Sequence, residues 1–478
     1  MAPKTTLNAK NLEALGPQRL AELLMEISTG SAAHKRRLRI ELAGSQGGAE
    51  MARQLRQRLV SIARARTAIN WRRVRTLKAE LETHRTTIAG PLAAEDPTEA
   101  FELVWQYLAM AEPIFERSDD GSGTLMESFH QACADAGVIA QAARISGDVL
   151  ADKIFAALQN NGYGQYDRLV AAMAGALGRD GLELLRSLLV QWSEEPQEKP
   201  AGGDREIIGR AGNGPLYADD IFVTDRDLTV RVALEDIADA LGDVDAYIAQ
   251  QTADARRAPM VAANIANRLF AAGRAAEALE ALDAASPRDP AGVAFAWQMA
   301  RVAALEALGR GAEAQAYRWS CFEQTLNAEH LRAFLKRLPD FDDMEAEERA
   351  FGHAQAFPDI HKALVFFLDW PALDEAARLI RVRHGDLDGN LYEVLTTAAE
   401  ALREKHPLAA TLALRAMIGF TLDHARSSRY SHAARHLADC ASLGRRIDDF
   451  GALPAHDAYV GDLRMRHGKK HGFWSRVD

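Results

Sequence analysis

Apolar side chains recur along most of the chain at intervals of three and four residues. One clear run is Leu20, Leu23, Leu24 and Ile27, which Gly30 closes. Residues with this spacing lie on one face of an α-helix, so the pattern indicates amphipathic helices that each bury one stripe. β-Branched runs, which favour strands, are scarce. The pattern therefore predicts an all-α chain.

Two stretches near the middle of the chain repeat one another. They read LFAAGRAAEAL at 269–279 and LEALGRGAEAQ at 305–315. Gly273 and Gly309 are 36 positions apart, close to the period of about 34 residues in tetratricopeptide repeats. Each glycine is predicted to end one helix in the left-handed conformation, and the small residues after it let the next helix pack closely. These hairpins predict a tetratricopeptide-like array in the C-terminal half.

A polar stretch rich in proline and glycine, EEPQEKPAGG at 194–203, separates two helical regions. Such a composition indicates a linker or long loop, which we place at residues 193–216. The predicted domains are then an N-terminal helical lobe, 1–192, and a C-terminal helical-repeat lobe, 217–478. A short β-like run at 221–224 is too brief to change the class. We expect a two-lobed α-solenoid of antiparallel helix pairs.

The composition points to a protein outside membranes and outside oxidising compartments. No stretch reaches the roughly 18 consecutive apolar residues of a membrane span, and residues 1–6 lack an apolar signal segment. The three cysteines, Cys133, Cys321 and Cys440, are far apart and odd in number. That spacing argues against a disulfide framework. We predict a cytoplasmic protein.

Charge is distributed unevenly along the chain. Residues 1–90 contain 17 Lys and Arg against 7 Asp and Glu, although the whole chain has a net charge of −10. Many of these basic residues lie in a predicted amphipathic hairpin at 35–85. Such a hairpin suits phosphate contacts, so nucleic-acid binding is the alternative function; the simpler explanation is docking on acidic neighbours. The candidate anion-binding residues are Arg53, Arg56, Arg64, Arg72, Arg73 and Arg75.

Several short strings together carry a family resemblance. They are LEALG at 12–16, GYGQYD at 162–167, HPLAATL at 406–412, SRYSHAARHL at 428–437 and GFWS at 472–475. With them the chain resembles, over nearly its whole length, an uncharacterised family of all-helical bacterial proteins. Its C-terminal helices are also similar to those of bacterial proteins with a SWIM zinc-binding module, but the cysteine pair of that module is absent. The resemblance implies a helical-repeat fold and carries over no catalytic residue.

One helix near the C-terminus concentrates side chains that could bind a ligand. His432, His436 and Cys440 stand four residues apart, so they share one helix face. Two such histidines occur in zinc enzymes, but the intervening glutamate is missing, and one straight helix cannot surround a tetrahedral ion. A metal-dependent activity is therefore only a third hypothesis. The predicted interaction surface consists of Arg429, Tyr430, His432, Arg435 and His436.

No motif for catalysis is present in the sequence. The chain lacks a Gly-x-Ser-x-Gly elbow, a phosphate-binding Gly-x-x-x-x-Gly-Lys loop and a His-Glu-x-x-His motif. We therefore predict that the protein is not an enzyme, and we assign it no catalytic residue, cofactor or metal. The leading hypothesis is a protein-interaction scaffold whose grooves bind a helix or an extended peptide.

Overall fold

The computed structural model divides into two compact units, Met1–Thr252 and Ala253–Asp478. It describes residues 7–44, 47–118, 120–121, 123–195, 207–211, 214–285 and 295–477. The division lies after Thr252, well beyond the predicted linker at 193–216. Residues 196–206 and 212–213 of that linker lie outside the described residues.

Helices make up almost all of the first unit. They are α1 (Ala9–Glu13), α2 (Pro17–Ser28), α3 (Ala32–Gly44), α4 (Gly48–Ala63), α5 (Trp71–Thr87), α6 (Ala93–Glu95), α7 (Pro97–Leu108), α8 (Ala111–Phe115), α9 (Met126–Ala142), α10 (Gly147–Leu158), α11 (Leu169–Glu194), α12 (Ala218–Leu241) and α13 (Val244–Gln250). A π-helical turn, Ile88–Leu92, joins α5 to α6. Strands β1 (Ile207–Ala211) and β2 (Gly214–Tyr217) form an antiparallel hairpin. The predicted β-like run at 221–224 lies within α12.

The second unit also consists of helices. They are α14 (Pro259–Ala271), α15 (Ala275–Ala284), α16 (Phe295–Ala307), α17 (Gly311–Thr325), α18 (Ala328–Leu335), α19 (Asp342–Ala356), α20 (Ile360–Asp369), α21 (Leu373–Arg383), α22 (Tyr392–Leu402), α23 (Pro407–Asp423), α24 (Tyr430–Gly444), α25 (His456–His467) and α26 (His471–Trp474). Three connections contain a short 3₁₀ turn, at Ala255–Arg257, His384–Asp386 and Ser427–Arg429. The prediction of an all-α chain is confirmed.

The two repeated stretches form the same turn. Gly273 and Gly309 have φ values of 74° and 72°. After each glycine the next backbone N–H reaches back to the preceding helix: Arg274 N donates to Leu269 O at 2.8 Å, and Arg310 N donates to Leu305 O at 2.9 Å. This is the hydrogen-bond pattern of a Schellman cap, which satisfies carbonyls that the helix end leaves open. The predicted glycine stops are therefore present between α14 and α15 and between α16 and α17.

Small residues allow the closest helix approaches in the first unit. A Cβ added at Gly137 of α9 would lie 2.0 Å from the carbonyl oxygen of Ala172 in α11. Gly147 and Gly181 also bring α10 close to α11, since a Cβ at Gly147 would lie 2.4 Å from the Leu177 carbonyl oxygen. Helix α11 itself bends at Gly178, whose φ of 61° interrupts the helical conformation. Glycine and alanine in this unit thus set how tightly the helices pack.

Helix α23 is the most enclosed helix of the second unit. Buried positions occur on all its sides, from Ala409 near its start to Leu422 near its end. It packs against α21, α22 and α24. A helix that is apolar all round belongs in the interior of a fold. In the described residues no helix is long and apolar enough to span a lipid bilayer.

A buried polar cluster holds α18 against α16. The imidazole of His330 is fully buried, and its Nε2 lies 2.8 Å from Oε1 of Gln298. Phe295 packs edge-on against the same ring, with the ring centroids 5.2 Å apart. Arg318, itself buried, is paired with Glu306 at 2.6 Å. Burial, with a smaller contribution from the Arg318 charge, lowers the pKa of His330 from 6.5 to about 4.

Acid should therefore destabilise the second unit through His330. Between pH 6.5 and 4 the unfolded chain binds this proton and the folded chain does not, so the free energy of unfolding falls as the pH falls. We expect a loss of about 2 kcal/mol at pH 5 relative to pH 7.5. Urea unfolding at both pH values measures this loss in the wild type and in His330→Gln. The glutamine keeps a hydrogen-bond donor for Gln298 but does not titrate. Equal pH dependence in the two proteins would contradict this assignment.

Candidate functional site

Four of the five residues predicted to form an interaction surface line a single recess. Arg429, His432, Arg435 and His436 border a cavity of about 320 Å³. The 3₁₀ turn Ser427–Arg429 leads directly into α24, so positions 429, 432 and 436 project from the same side.

The opposite wall and the floor of the recess come from other helices. Gly389, Tyr392 and Thr396 supply the wall at the start of α22, and Met417 and Thr421 of α23 form the floor. Thr396 donates a weak hydrogen bond to the Met417 sulfur at 3.6 Å. These five residues were missed by the sequence reasoning, because no spacing rule relates α22 or α23 to α24.

Tyr430 lies outside the recess. Its ring is buried on the other side of α24, packed edge-on against Phe473 of α26 with the centroids 6.0 Å apart. Helical geometry explains this, since a residue directly after Arg429 points about 100° away from it. Tyr430 therefore contributes to the packing of the C-terminal end.

Both arginines of the recess are held by groups other than carboxylates. Nη1 of Arg429 donates to Oδ1 of Asn390 at 3.1 Å, and its guanidinium lies 4.9 Å from the Tyr392 ring centroid. Nη2 of Arg435 lies 2.8 Å from Nδ1 of His432. Among the residues that the structure describes, no aspartate or glutamate lines the recess. The recess is thus cationic.

His436 lies between this recess and a neighbouring cavity of about 370 Å³ that also contains Arg403, Glu400 and Asp439. Burial lowers the pKa of His436, and the charges of Arg435 and His432 lower it further, while Asp439 acts in the opposite direction. Its imidazole is therefore neutral at pH 7, and the two arginines carry the permanent positive charge of the recess.

Cys440 does not join His432 and His436. Its thiol is fully buried beside α23, with Sγ 3.9 Å from the carbonyl oxygen of Thr411, and burial raises its pKa to about 12. A metal ligand would have to be a thiolate, which this environment disfavours. In the described part of the chain no three His, Cys, Asp or Glu side chains are grouped so that they could hold a metal ion.

A larger recess adjoins the first across the start of α22. Its volume is about 740 Å³, and residues of α18, α20 and α22 line it. Val365, Phe366, Leu391 and Val394 form an apolar floor. Val365 and Leu391 are 39% and 42% exposed, so this apolar surface is open to a ligand. Sequence periodicity assigned these residues only to helix faces and did not reveal the recess.

The N-terminal arginines predicted to bind anions are partly neutralised within the protein. Arg53 forms a two-pronged ion pair with Glu50, in which Nε donates to Oε2 at 2.7 Å, and Arg56 pairs with Glu99 at 2.6 Å. The ion pair with Arg53 lowers the pKa of Glu50 to about 2.

The remaining predicted arginines are those at the turn between α4 and α5. Arg64, Arg73 and Arg75 are exposed, and none has a carboxylate within ion-pair distance in the part of the chain that the structure describes. The side chain of Arg72 lies outside the described residues.

One protein family covers the chain. The model of DUF6880, a family of unknown function, matches residues 2–476. No curated protein matches the sequence. The predicted membership of an uncharacterised family is therefore confirmed. The likeness to SWIM-containing proteins and the bacterial origin stay predictions.

The position of α22 should depend on the missing side chain of Gly389. A Cβ there would lie 2.1 Å from the carbonyl oxygen of Ala416 and 2.7 Å from Cβ of Phe420, both in α23. Gly389→Ala should therefore cost about 2 kcal/mol of unfolding free energy, because helix backbones must separate. Thermal and urea unfolding measure the loss.

Gly352→Ala is the matched control in the same unit. Gly352 lies within α19, and an added Cβ there meets no atom within 4 Å. We expect that variant to be as stable as the wild type or up to about 1 kcal/mol more stable, because alanine favours a helix. Similar losses in both variants would contradict the close approach at Gly389.

Proposed function

The chain belongs to the DUF6880 family, and we propose that it is a protein-interaction scaffold without enzymatic activity. In this proposal the helix pairs form a tetratricopeptide-like α-solenoid whose second unit binds an extended peptide of another protein. The identical glycine turns after α14 and α16 support a repeat arrangement. The predicted cytoplasmic location is part of the same proposal and agrees with three buried, unpaired cysteines.

The observation that carries the proposal is the 740 Å³ recess between α18, α20 and α22. Its floor exposes Val365 and Leu391 to solvent, and peptide side chains would remove that apolar surface from water. Peptide grooves combine such apolar pockets with polar groups that fix the direction of the chain.

Charge complementarity at the adjoining recess indicates that the bound peptide carries an anionic group. The larger recess has no excess of positive charge, since Arg332 and Lys362 line it together with Glu329, Asp359 and Asp369. Arg429 and Arg435 line the adjoining recess without a carboxylate partner. We therefore expect a segment in which apolar side chains precede or follow an anionic group.

Val365→Asp tests this proposal. A carboxylate on the apolar floor should weaken partner binding at least tenfold, since the charge must be desolvated. A partner captured by the tagged wild-type chain is purified, and its Kd is measured for both proteins.

Val382→Asp is the control. Val382 is in α21, is 74% exposed, and does not line the recess. The control should bind like the wild type, and circular dichroism verifies that both variants are folded. If every captured partner binds the three proteins equally, this recess is not the binding site.

Nucleic-acid binding is the second candidate, and the exposed, unpaired Arg64, Arg73 and Arg75 are the observation that favours it. Each phosphate contact contributes about −0.7 to −0.9 to the slope of log K against log salt. The double variant R73Q/R75Q should therefore make that slope shallower by about 1.5 units for a single-stranded oligonucleotide. Fluorescence anisotropy at several KCl concentrations measures it.

Arg53→Gln provides the comparison, because Glu50 already neutralises Arg53. Its salt dependence should remain that of the wild type. Oligonucleotide binding by the wild type that is insensitive to salt would exclude this hairpin as a nucleic-acid site. A slope that becomes as shallow in Arg53→Gln as in R73Q/R75Q would exclude it as well.

A further inference from the structure

We propose that the 320 Å³ recess between α22 and α24 is a subsite for a phosphoryl group, the dianion of a phosphate monoester, on the bound peptide. This inference rests on the proposed function, because it names the anionic group of the partner that the adjoining groove would hold.

The recess leaves positive charge without compensation. Several other arginines on the surface of this unit pair with a glutamate three positions away, as in Arg274–Glu277, Arg310–Glu313 and Arg332–Glu329. Three positions after Arg429 and Arg435 stand His432 and Ala438. Among the described residues neither arginine has a carboxylate within ion-pair distance. Two permanent positive charges therefore face the recess.

Acidic side chains lie close to the recess without lining it. The Tyr392 hydroxyl donates to Oε1 of Glu393 at 3.4 Å. Asp439 and Glu400 line the neighbouring cavity, to which Arg435 and His436 also contribute. Among the described residues that line the recess itself, an anion would meet guanidinium, imidazole, hydroxyl and aromatic groups and no carboxylate.

The two guanidinium groups of the recess are already oriented by their neighbours. Asn390 and the Tyr392 ring hold Arg429, while His432 holds Arg435. Because none of these contacts is with a carboxylate, each arginine keeps its charge uncompensated and several N–H donors for a ligand. Arginine side chains that are already ordered lose less entropy when they bind an anion.

The charge of the recess and its number of donors favour a phosphoryl group over a carboxylate as the ligand. A phosphate monoester carries close to two negative charges at pH 7 and presents three acceptor oxygens. Two arginines match that charge and can each form a two-pronged contact. Thr396 and Thr421 add hydroxyl groups to the lining, and Thr396 gives up only a weak bond to sulfur. A single carboxylate would leave one arginine unmatched.

The size of the recess and its place beside the groove agree with this ligand. A volume of about 320 Å³ is roughly ten times the share of one water molecule in the liquid, which is enough for a phosphoryl group and the side chain that carries it. Leu391 lines the groove and Tyr392 lines the recess. One peptide can therefore contact both cavities across the start of α22.

The test uses two small anions that differ in their charged group, phenyl phosphate and benzoate, with the full-length chain. Ligand-observed NMR titrations give the Kd of each. We expect saturable binding of phenyl phosphate and at least tenfold weaker binding of benzoate. Arg435→Gln should weaken phenyl phosphate binding at least tenfold, and R429Q/R435Q should abolish it.

Arg445→Gln is the matched control for charge. Arg445 follows α24, is exposed, and lies outside both cavities. This variant should bind phenyl phosphate with a Kd within twofold of the wild-type value. Circular dichroism and thermal unfolding verify the fold of each variant. Absence of saturable phenyl phosphate binding, equal binding of benzoate, or an equal loss in Arg445→Gln would overturn the proposal.

The same measurements separate this inference from the proposed function. Val365→Asp should leave phenyl phosphate binding unchanged, because Val365 belongs to the other cavity. If phenyl phosphate binds but no captured partner loses affinity in Val365→Asp, only the proposed scaffold function is overturned. If a captured partner loses affinity in Val365→Asp and yet binds the wild type equally well after its phosphate groups are removed, only the phosphoryl subsite is overturned.

Discussion

The second unit depends on the burial of helix α23. Eleven of its residues are buried, from Ala409 to Leu422, and each large apolar side chain removed from water contributes about 1.5–3 kcal/mol. Helices α21, α22 and α24 must therefore pack against it. One charged residue shares this interior: Arg415 is 8% exposed, and its guanidinium lies 4.2 Å from the Tyr459 ring centroid and donates to the Pro454 carbonyl at 2.8 Å.

The candidate site is a consequence of that packing. Helices α22 and α24 both contact α23, and the space left between their first turns is the cationic recess with Met417 and Thr421 at its base. The width of the recess follows from how closely α22 approaches α23, which Gly389 permits. The residues that would bind a ligand are thus carried by rigid helices whose positions the core determines.

Pairing of charges, more than their number, decides where an anion could bind. The N-terminal hairpin is rich in arginine, yet Glu50, Glu80 and Glu99 neutralise much of that charge within the first unit. Glu80 lies close to His84, Arg58 and Arg36. Burial alone would raise its pKa, but these three contacts lower the pKa to about 2. The recess of the second unit has only two arginines, but neither is compensated. Net charge along the sequence does not describe the potential at a surface.

Residue patterns along the chain establish the helical class, the glycine turns at Gly273 and Gly309, and the shared helix face of His432 and His436. These features are local, because they depend on residues within about two helical turns of each other. Contacts between distant segments were decided only by the tertiary structure. Examples are the ion pair of Arg56 with Glu99, the burial of Tyr430 against Phe473, and the recess wall from α22. Each depends on how whole helices stack on a shared core, and helical periodicity identifies an apolar face without identifying its partner.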